Sequence, residues 1–183
     1  MNLEKPIFTE SLVISVFQEK DCTDEYIAWL NDPEVNRFLE VRFKLQTFDL
    51  ARRHIIECLQ SDQVLFCKIE VRRPQIHLVG TCTIRLDRNN KVAEVGIMLG
   101  DRKSHGLGYA QEVMGAIKGL CFDYFDIRKL YAKVYASNAK SINLFKRCGF
   151  VIEAVLTDYA LLNNALEDVL VLSCPRSTKH LLT

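Results

Sequence analysis

The feature that most constrains this chain is residues 94–110, EVGIMLGDRKSHGLGYA. Residues 92–99 are apolar and β-branched enough for a buried strand, apart from Glu94 and Gly96. Gly106 and Gly108 follow, and a helical spacing of apolar residues begins near Ala110. Glycine permits positive φ and close approach of a ligand, and the first N–H groups of a helix have no internal partner. The run therefore predicts a strand, a glycine loop and a helix that together can hold a pyrophosphate.

Other phosphate-binding loops fit this run less well. A P-loop needs Lys followed by Ser or Thr after its last glycine, and neither follows Gly108. A dinucleotide fingerprint needs a third glycine where Gln111 stands. Because a Gly-x-Gly pair is also typical of a plain strand–helix turn, the loop alone does not decide between a ligand site and a turn.

Three segments together resemble one protein family. Residues 105–110, HGLGYA, are similar to the acyl-CoA signature Gln/Arg-x-x-Gly-x-Gly/Ala of the Gcn5-related N-acetyltransferases (GNAT family), with His105 departing at the first position. Residues 134–150, VYASNAKSINLFKRCGF, look like the family's fifth strand and fourth helix. Residues 29–35, WLNDPEV, resemble the ribosomal-protein-alanine (RimJ/RimL-type) subgroup. Three segments in the family's order make a stronger case than any one of them.

The pattern along the chain predicts an α+β fold. Strands are expected at residues 11–17, 64–71, 76–86, 92–99, 130–135, 150–162 and 166–173, and helices near 26–30, 34–39, 48–59, 109–124 and 138–148. This order, β-αα(α)-βββ-α-β-α-ββ, is the one that the resemblance implies, with a mixed, mostly antiparallel central sheet and helices on both faces. We expect a single N-acetyltransferase domain at residues 1–173 and a flexible tail at 174–183.

Composition narrows the function classes. A net charge of +1 argues against a dedicated nucleic-acid binder, and no apolar run approaches the roughly 20 residues of a membrane span. The N-terminus lacks a signal-peptide pattern, and seven scattered cysteines form no Cys-x-x-Cys pair. These features predict a cytoplasmic protein without a disulfide framework or a metal site. A homodimer formed through edge strands is compatible with the sequence.

The resemblance implies that acetyl-CoA is the acetyl-donor co-substrate. In the family, the strands that correspond to 92–99 and 130–135 splay apart, and backbone groups of the first strand pair with the pantetheine arm in the gap. Arg102, Lys103 and Lys140 either meet phosphate charge or form a solvated basic surface. The residues expected to contact acetyl-CoA are Ile97, Met98, Leu99, His105, Gly106, Leu107, Gly108, Tyr109, Ala110, Asn138, Ser141 and Phe145.

Acetylation of an amine needs a base, because an alkyl ammonium has a pKa of about 10. Glu94 is the leading candidate, since it interrupts an apolar strand; the alternatives are a structural ion pair or an exposed strand face. His54 and His77 are weaker candidates. Many relatives have Tyr where this chain has Phe145, so Ser141 is the candidate acid, unless the thiolate leaves without one.

The sequence thus predicts a transferase, an acetyl-CoA-dependent acyltransferase acting by direct attack on the thioester. The acceptor is a primary amine of a small molecule, an amino-sugar nucleotide or a protein N-terminus. Two alternatives stay open: a non-catalytic CoA-binding or regulatory module, and a generic nucleotide binder. Candidate walls of the acceptor site, each more typical of a core position, are Trp29, Phe38, Phe43, Tyr159 and Asp168.

Overall fold

The structure is a computed structural model that describes residue 3, residues 5–72 and residues 74–177. The strands are β1 (Ile7–Phe8), β2 (Leu12–Val16), β3 (Val64–Val71), β4 (His77–Asp87), β5 (Val92–Leu99), β6 (Lys129–Tyr135), β7 (Val151–Leu162) and β8 (Ala165–Pro175). The helices are α1 (Asp24–Asn31), α2 (Pro33–Asn36), α3 (Phe48–Gln60), α4 (Tyr109–Gly119) and α5 (Ala139–Arg147). Short 3₁₀ turns and one π turn (Leu120–Tyr124) lie between them.

The eight strands form one sheet in the order β1-β2-β3-β4-β5-β6-β8-β7. The ladders β1–β2, β2–β3, β3–β4, β6–β8 and β7–β8 are antiparallel, whereas β5 and β6 are parallel. The predicted α+β fold with a mixed, mostly antiparallel sheet is therefore confirmed.

The chain comprises two compact units. The first unit contains the described residues up to Arg85 together with Gly96–Val113. Helix α3 repeats apolar residues at helical spacing, so one face packs into this unit's core while Thr47 caps its first turn. That core consists of Phe17, Tyr26, Trp29, Leu30, Ala51, Ile55, Cys58, Phe66 and Met98.

The second unit contains Leu86–Val95 and the described residues from Met114 onward. Strand β6 pairs with β8 along its whole length, and Leu130 and Leu172 are fully buried. Helix α5 ends as the sequence predicts, because Gly149 has a φ of +86°. Lys118 Nζ donates to the carbonyl oxygen of Cys148 at 2.8 Å and closes that helix end.

The structure shifts some predicted boundaries. Strands 64–71 and 92–99 lie where they were predicted. The helix predicted at 34–39 ends at Asn36, whose buried side-chain amide donates to the carbonyl oxygen of Leu30. Strand β8 extends past Ser173 because Cys174 and Pro175 still pair with β6. Most of the predicted flexible tail, residues 178–183, lies outside the described residues.

None of the described helices is long and apolar enough to cross a membrane. Within the described residues, no three His, Cys, Asp or Glu side chains form a group suited to a metal ion.

Candidate active site

The glycine loop between β5 and α4 has the predicted backbone conformation. Gly106 and Gly108 have φ angles of +80° and +84°, a region that side chains rarely adopt. A Cβ atom built on either glycine would meet no other atom within 4 Å. The space above the loop is therefore open to a ligand.

The loop presents a run of free hydrogen-bond donors. Across the described residues, no hydrogen bond is recorded from the backbone N–H groups of Gly106 to Ala110. The next two N–H groups, of Gln111 and Glu112, both donate to the carbonyl oxygen of Gly108 at 3.0 Å. Five consecutive N–H groups without a recorded partner in the described residues, at the positive end of an eleven-residue helix, are chemically suited to binding an anion.

Two side chains hold this loop in place. Asp101 accepts hydrogen bonds from the Lys103 N–H at 3.0 Å and from the Ser104 hydroxyl at 2.5 Å. Burial alone would raise the pKa of Asp101, but the hydrogen bonds from Ser104 and Lys103, together with the charges of His77 and Lys103, lower that pKa overall. His105 Nε2 lies 2.9 Å from the carbonyl oxygen of Leu99, so this ring nitrogen donates its proton to the end of β5. Sequence reasoning missed Asp101, although an Asp just before a short polar turn is a typical cap signal.

The segment Ile97–Leu99 is held closely on one side by β4. A Cβ atom on Gly80 would lie 2.2 Å from the carbonyl oxygen of Met98, so only glycine fits there. Gly100, the residue after this segment, packs against the Trp29 indole. A Cβ atom on Gly100 would lie 2.0 Å from that ring. The ladder between β5 and β6 ends at the pair Glu94–Tyr131, while β5 continues to Leu99.

Glu94 is half-buried in the second unit. The Tyr131 hydroxyl donates to Glu94 Oε2 across a distance of 3.4 Å. Among the described residues, no cation is recorded in a salt bridge with Glu94, so the structure provides no support for a structural ion pair. A carboxylate with one long hydrogen bond keeps acceptor capacity for another proton donor.

The start of α5 positions the other predicted residues of the second unit. Asn138 Oδ1 accepts the Ser141 N–H at 3.2 Å and caps the helix, and within the described part of the chain no partner is recorded for its amide N–H groups. The Ser141 side chain is half-buried. Phe145 is 3% exposed and packs edge-to-face on Phe150, with ring centroids 5.0 Å apart. Phe145 is thus mainly a core residue.

The remaining candidate bases and cations are placed as follows. His54 lies 3.6 Å from Cys58 Sγ, and burial and the nearby Arg85 lower its pKa. His77 Nδ1 lies 3.0 Å from the carbonyl oxygen of Gln75, so both histidines have local structural contacts. The basic side chains predicted near the phosphates are exposed, and within the described residues no salt bridge is recorded for them: Arg102, Lys103 and Lys140.

The candidate wall residues differ in burial. Trp29 is in the core of the first unit, and Phe38 is half-buried. The prediction of a core position is wrong for Phe43 and Tyr159, because their side chains are 62% and 60% exposed. Asp168 Oδ1 accepts the N–H of Asp158 at 2.9 Å and holds a bulge of β7 in place.

Comparisons with known proteins agree with this fold. The sequence profile of the acetyltransferase (GNAT) domain matches residues 11–151. An uncharacterized N-acetyltransferase of Bacillus licheniformis, p20, is 27% identical over 171 residues, which are 91% of this chain and 94% of that protein. The spermidine N(1)-acetyltransferase of Vibrio cholerae is 27% identical over 100 residues, which are 54% of this chain and 57% of that protein. A crystal structure of the spermidine N-acetyltransferase from Vibrio cholerae with CoA and spermine has a TM-score of 0.81 at 19% identity, covering 91% of this chain and 96% of that one. The chain therefore belongs to the GNAT family of acetyltransferases and is an N-acetyltransferase.

Proposed function

We propose that this protein transfers the acetyl group of acetyl-CoA to a primary amine by direct attack of the amine on the thioester. The observation that carries the proposal is the row of five free N–H groups from Gly106 to Ala110 at the start of α4. These donors suit a pyrophosphate, which is an anion with several acceptor oxygens. Family membership supports acetyl-CoA as the source of that pyrophosphate.

The first unit contains the glycine loop and the segment Ile97–Leu99. In the first unit, the glycine loop binds the pyrophosphate, and backbone groups of Ile97 to Leu99 pair with pantetheine amides as an edge strand does. The carbonyl oxygen of Leu99 already accepts from His105, but a carbonyl has a second lone pair. The exposed cations of this unit, Arg102 and Lys103, meet the remaining phosphate charge.

In the second unit, the free amide N–H groups of Asn138 donate to the pantetheine arm, while its oxygen caps α5. Phe145 closes the apolar wall beneath it. Both assignments follow the family resemblance, and the cap and the burial are compatible with them.

Glu94 and Ser141 are the proposed acid–base pair. Glu94 takes a proton from the ammonium, directly or through water, and the nitrogen lone pair forms a bond to the thioester carbon. The C–S bond then breaks and its electron pair stays on sulfur. The nitrogen loses its second proton as the amide forms, and Ser141 relays that proton to the thiolate, so that its own hydroxyl is restored. A thiolate is far less basic than an alkoxide, because the pKa of its conjugate thiol is only about 8.5 for cysteine. Ser141 is therefore expected to contribute less than Glu94.

The acceptor classes remain those predicted from the sequence: a small-molecule amine, an amino-sugar nucleotide or a protein N-terminus. The Vibrio cholerae relative is named for spermidine, and an Escherichia coli relative for L-amino acids, 26% identical over 117 residues. A structural neighbour is named as a candidate ribosomal-protein-serine acetyltransferase, at a TM-score of 0.74. The motif at Trp29–Val35 suggested the ribosomal-protein subgroup, but here Trp29 packs in the core and Asp32 caps α2. Subgroup membership therefore stays a proposal that an acceptor screen must test.

Three further proposals accompany this function. We propose one N-acetyltransferase domain over residues 1–173, which the family match to residues 11–151 supports. The composition supports a cytoplasmic location. The long exposed strand β7 at the edge of the sheet supports a homodimer.

Acetyl-CoA binding is the first test, measured by thermal shift and calorimetry. A ligand at about 100 times its Kd adds roughly 2.7 kcal/mol to the free energy of unfolding, or a rise of about 5–10 °C in Tm. Gly108→Trp places an indole in the open space above the loop and should abolish this rise. Gly119→Trp is the matched control, because Gly119 is exposed, lies in open space at the far end of α4 and should leave binding intact. No stabilisation of the wild type by millimolar acetyl-CoA would refute the proposal.

Thiol release then separates an enzyme from a binding module. Wild-type protein is incubated with acetyl-CoA and a panel of polyamines, amino acids, amino-sugar nucleotides and peptides, and free CoA is titrated. Release above the rate without acceptor identifies the acceptor class. Binding of acetyl-CoA without release for any amine supports the non-catalytic alternative, and competition by ATP or NAD would favour a generic nucleotide site.

A further inference from the structure

The parallel ladder between β5 and β6 ends with Glu94 opposite Tyr131. Directly paired residues of neighbouring strands project to the same face of a sheet, so the two side chains lie side by side. Their chain neighbours Ala93 and Leu130 project to the opposite face and are fully buried. Glu94 and Tyr131 are both half-buried, which places a carboxylate and a phenol on the more open face at the last rung.

The hydroxyl of Tyr131 is the donor that the structure provides to the Glu94 carboxylate. The distance from Tyr131 Oη to Glu94 Oε2 is 3.4 Å, which is long for an O–H···O bond. Hydrogen bonds at active sites are often long in the free enzyme and tighten when the substrate binds. The bond occupies one carboxylate oxygen and leaves Oε1 to accept a proton.

Strand β8 holds the backbone of Tyr131 on the edge of β6 opposite to β5. Its backbone pairs with Ser173 of β8, which is 4% exposed, so β6 is bonded on both sides at this rung. A tyrosine side chain has two rotatable bonds, whereas glutamate has three, so the phenol is the more rigid partner. The phenol therefore restricts the orientation of the carboxylate.

The two lysines that flank Tyr131 in the sequence do not orient the Glu94 carboxylate in its place. Lys129, two residues before Tyr131, forms an ion pair with Glu153 at 2.5 Å. The side chain of Lys133, two residues after it, is exposed. In the described part of the chain, the contact recorded for the Glu94 carboxylate is the one with Tyr131.

We infer that Tyr131 is a positioning residue for acetyl transfer: its hydroxyl orients the Glu94 carboxylate so that Oε1 receives the proton of the acceptor ammonium. This inference rests on the proposed function, in which Glu94 is the base. One proton moves from the ammonium to Glu94, and the nitrogen lone pair bonds to the acetyl carbon. The C–S electron pair leaves with sulfur, and the nitrogen's second proton passes through Ser141 to the thiolate. Tyr131 keeps its own proton throughout.

The test is a double-mutant cycle with Tyr131→Phe and Glu94→Gln, measured at a temperature well below the lowest Tm of the set. Tyr131→Phe keeps the ring, so we expect kcat to fall about 10-fold, the size of one hydrogen bond to a charged group. The Kd for acetyl-CoA from calorimetry and the Tm should stay close to wild type. In the Glu94→Gln background, Tyr131→Phe should have no further effect, because the group that it orients is gone.

Tyr124→Phe is the matched control, because Tyr124 is 62% exposed and its hydroxyl can be removed without touching Glu94. It should leave kcat unchanged. Equal losses from Tyr131→Phe in both backgrounds, or no loss in either, would overturn the inference. Full activity of Glu94→Gln would overturn it as well, while thiol release by the wild type would still support the proposed function. Absence of thiol release by the wild type with every amine would refute both.

Discussion

Gly80→Ala should be among the most damaging single-methyl additions to this protein. The new Cβ atom would lie 2.2 Å from the carbonyl oxygen of Met98 and 3.0 Å from Leu99 Cα. Both are backbone atoms, so no side-chain rotation relieves the contact, and β4 and β5 must separate by about 1 Å. Overpacking of this kind costs about 1–3 kcal/mol, and each weakened ladder bond adds roughly 0.5–1.5 kcal/mol. We therefore expect a loss of about 3 kcal/mol, or 6–12 °C in Tm for a chain of this length.

The same substitution should weaken acetyl-CoA binding, because it moves the backbone segment proposed to pair with pantetheine. Differential scanning calorimetry measures the Tm, and titration calorimetry below both transitions measures the Kd. Gly96→Ala is the matched control, since it adds the same methyl group to β5 at an exposed position with no atom within 4 Å. It should change the Tm by less than about 2 °C. Equal Tm values for the two variants would refute the packing argument.

Three further predictions follow from side-chain contacts. Asn138→Ala should cost about 1 kcal/mol through loss of the α5 cap, while Asn138→Asp should keep the stability but weaken acetyl-CoA binding, as urea unfolding and calorimetry would show. Asp101→Ala removes the acceptor of the Ser104 hydroxyl and the Lys103 N–H. Its main effect should be a higher Kd for acetyl-CoA, with a smaller effect on the Tm. An unchanged Kd would contradict the role of Asp101 in holding the loop. Burial and Arg85 hold the folded-state pKa of His54 below its ordinary value of 6.5. The unfolded chain therefore binds the proton more readily, and stability is lost as pH falls through 6.5 toward the folded-state pKa. His54→Gln should reduce that loss in urea unfolding at pH 5, 6 and 8, and an equal loss would argue against the assignment.

Local sequence patterns predicted much of the fold for physical reasons. Strand β5 was predictable because its apolar run is bounded by turn residues, and α3 because its apolar spacing follows a clear cap at Thr47. The positive φ angles at Gly106 and Gly108 were predictable because the strand–helix turn leaves few other conformations. Strand β1 was missed, since two residues carry no periodicity and its pairing with β2 is a tertiary contact.

The site was harder to predict, because its contacts join positions far apart in the chain. Nothing near Glu94 in sequence indicates that Tyr131, 37 residues later, lies beside it; the parallel register decides this. The exposure of a side chain likewise depends on elements that are distant in the sequence. Phe43 and Tyr159 are aromatic and suggest core positions, yet the elements around them leave both uncovered.

His105 shows how a departure from a family signature can leave its chemistry intact. The family usually has Arg or Gln at this position, and the difference raised the hypothesis of a non-catalytic module. In the structure, the ring nitrogen of His105 donates to Leu99 and fastens the loop to the end of β5. The anion-binding groups are backbone N–H donors, which do not depend on that side chain's identity, and all five remain without a recorded partner in the described residues. His105 therefore does not argue against the proposal that the loop binds a pyrophosphate, and the case for a non-catalytic module rests on Phe145 alone.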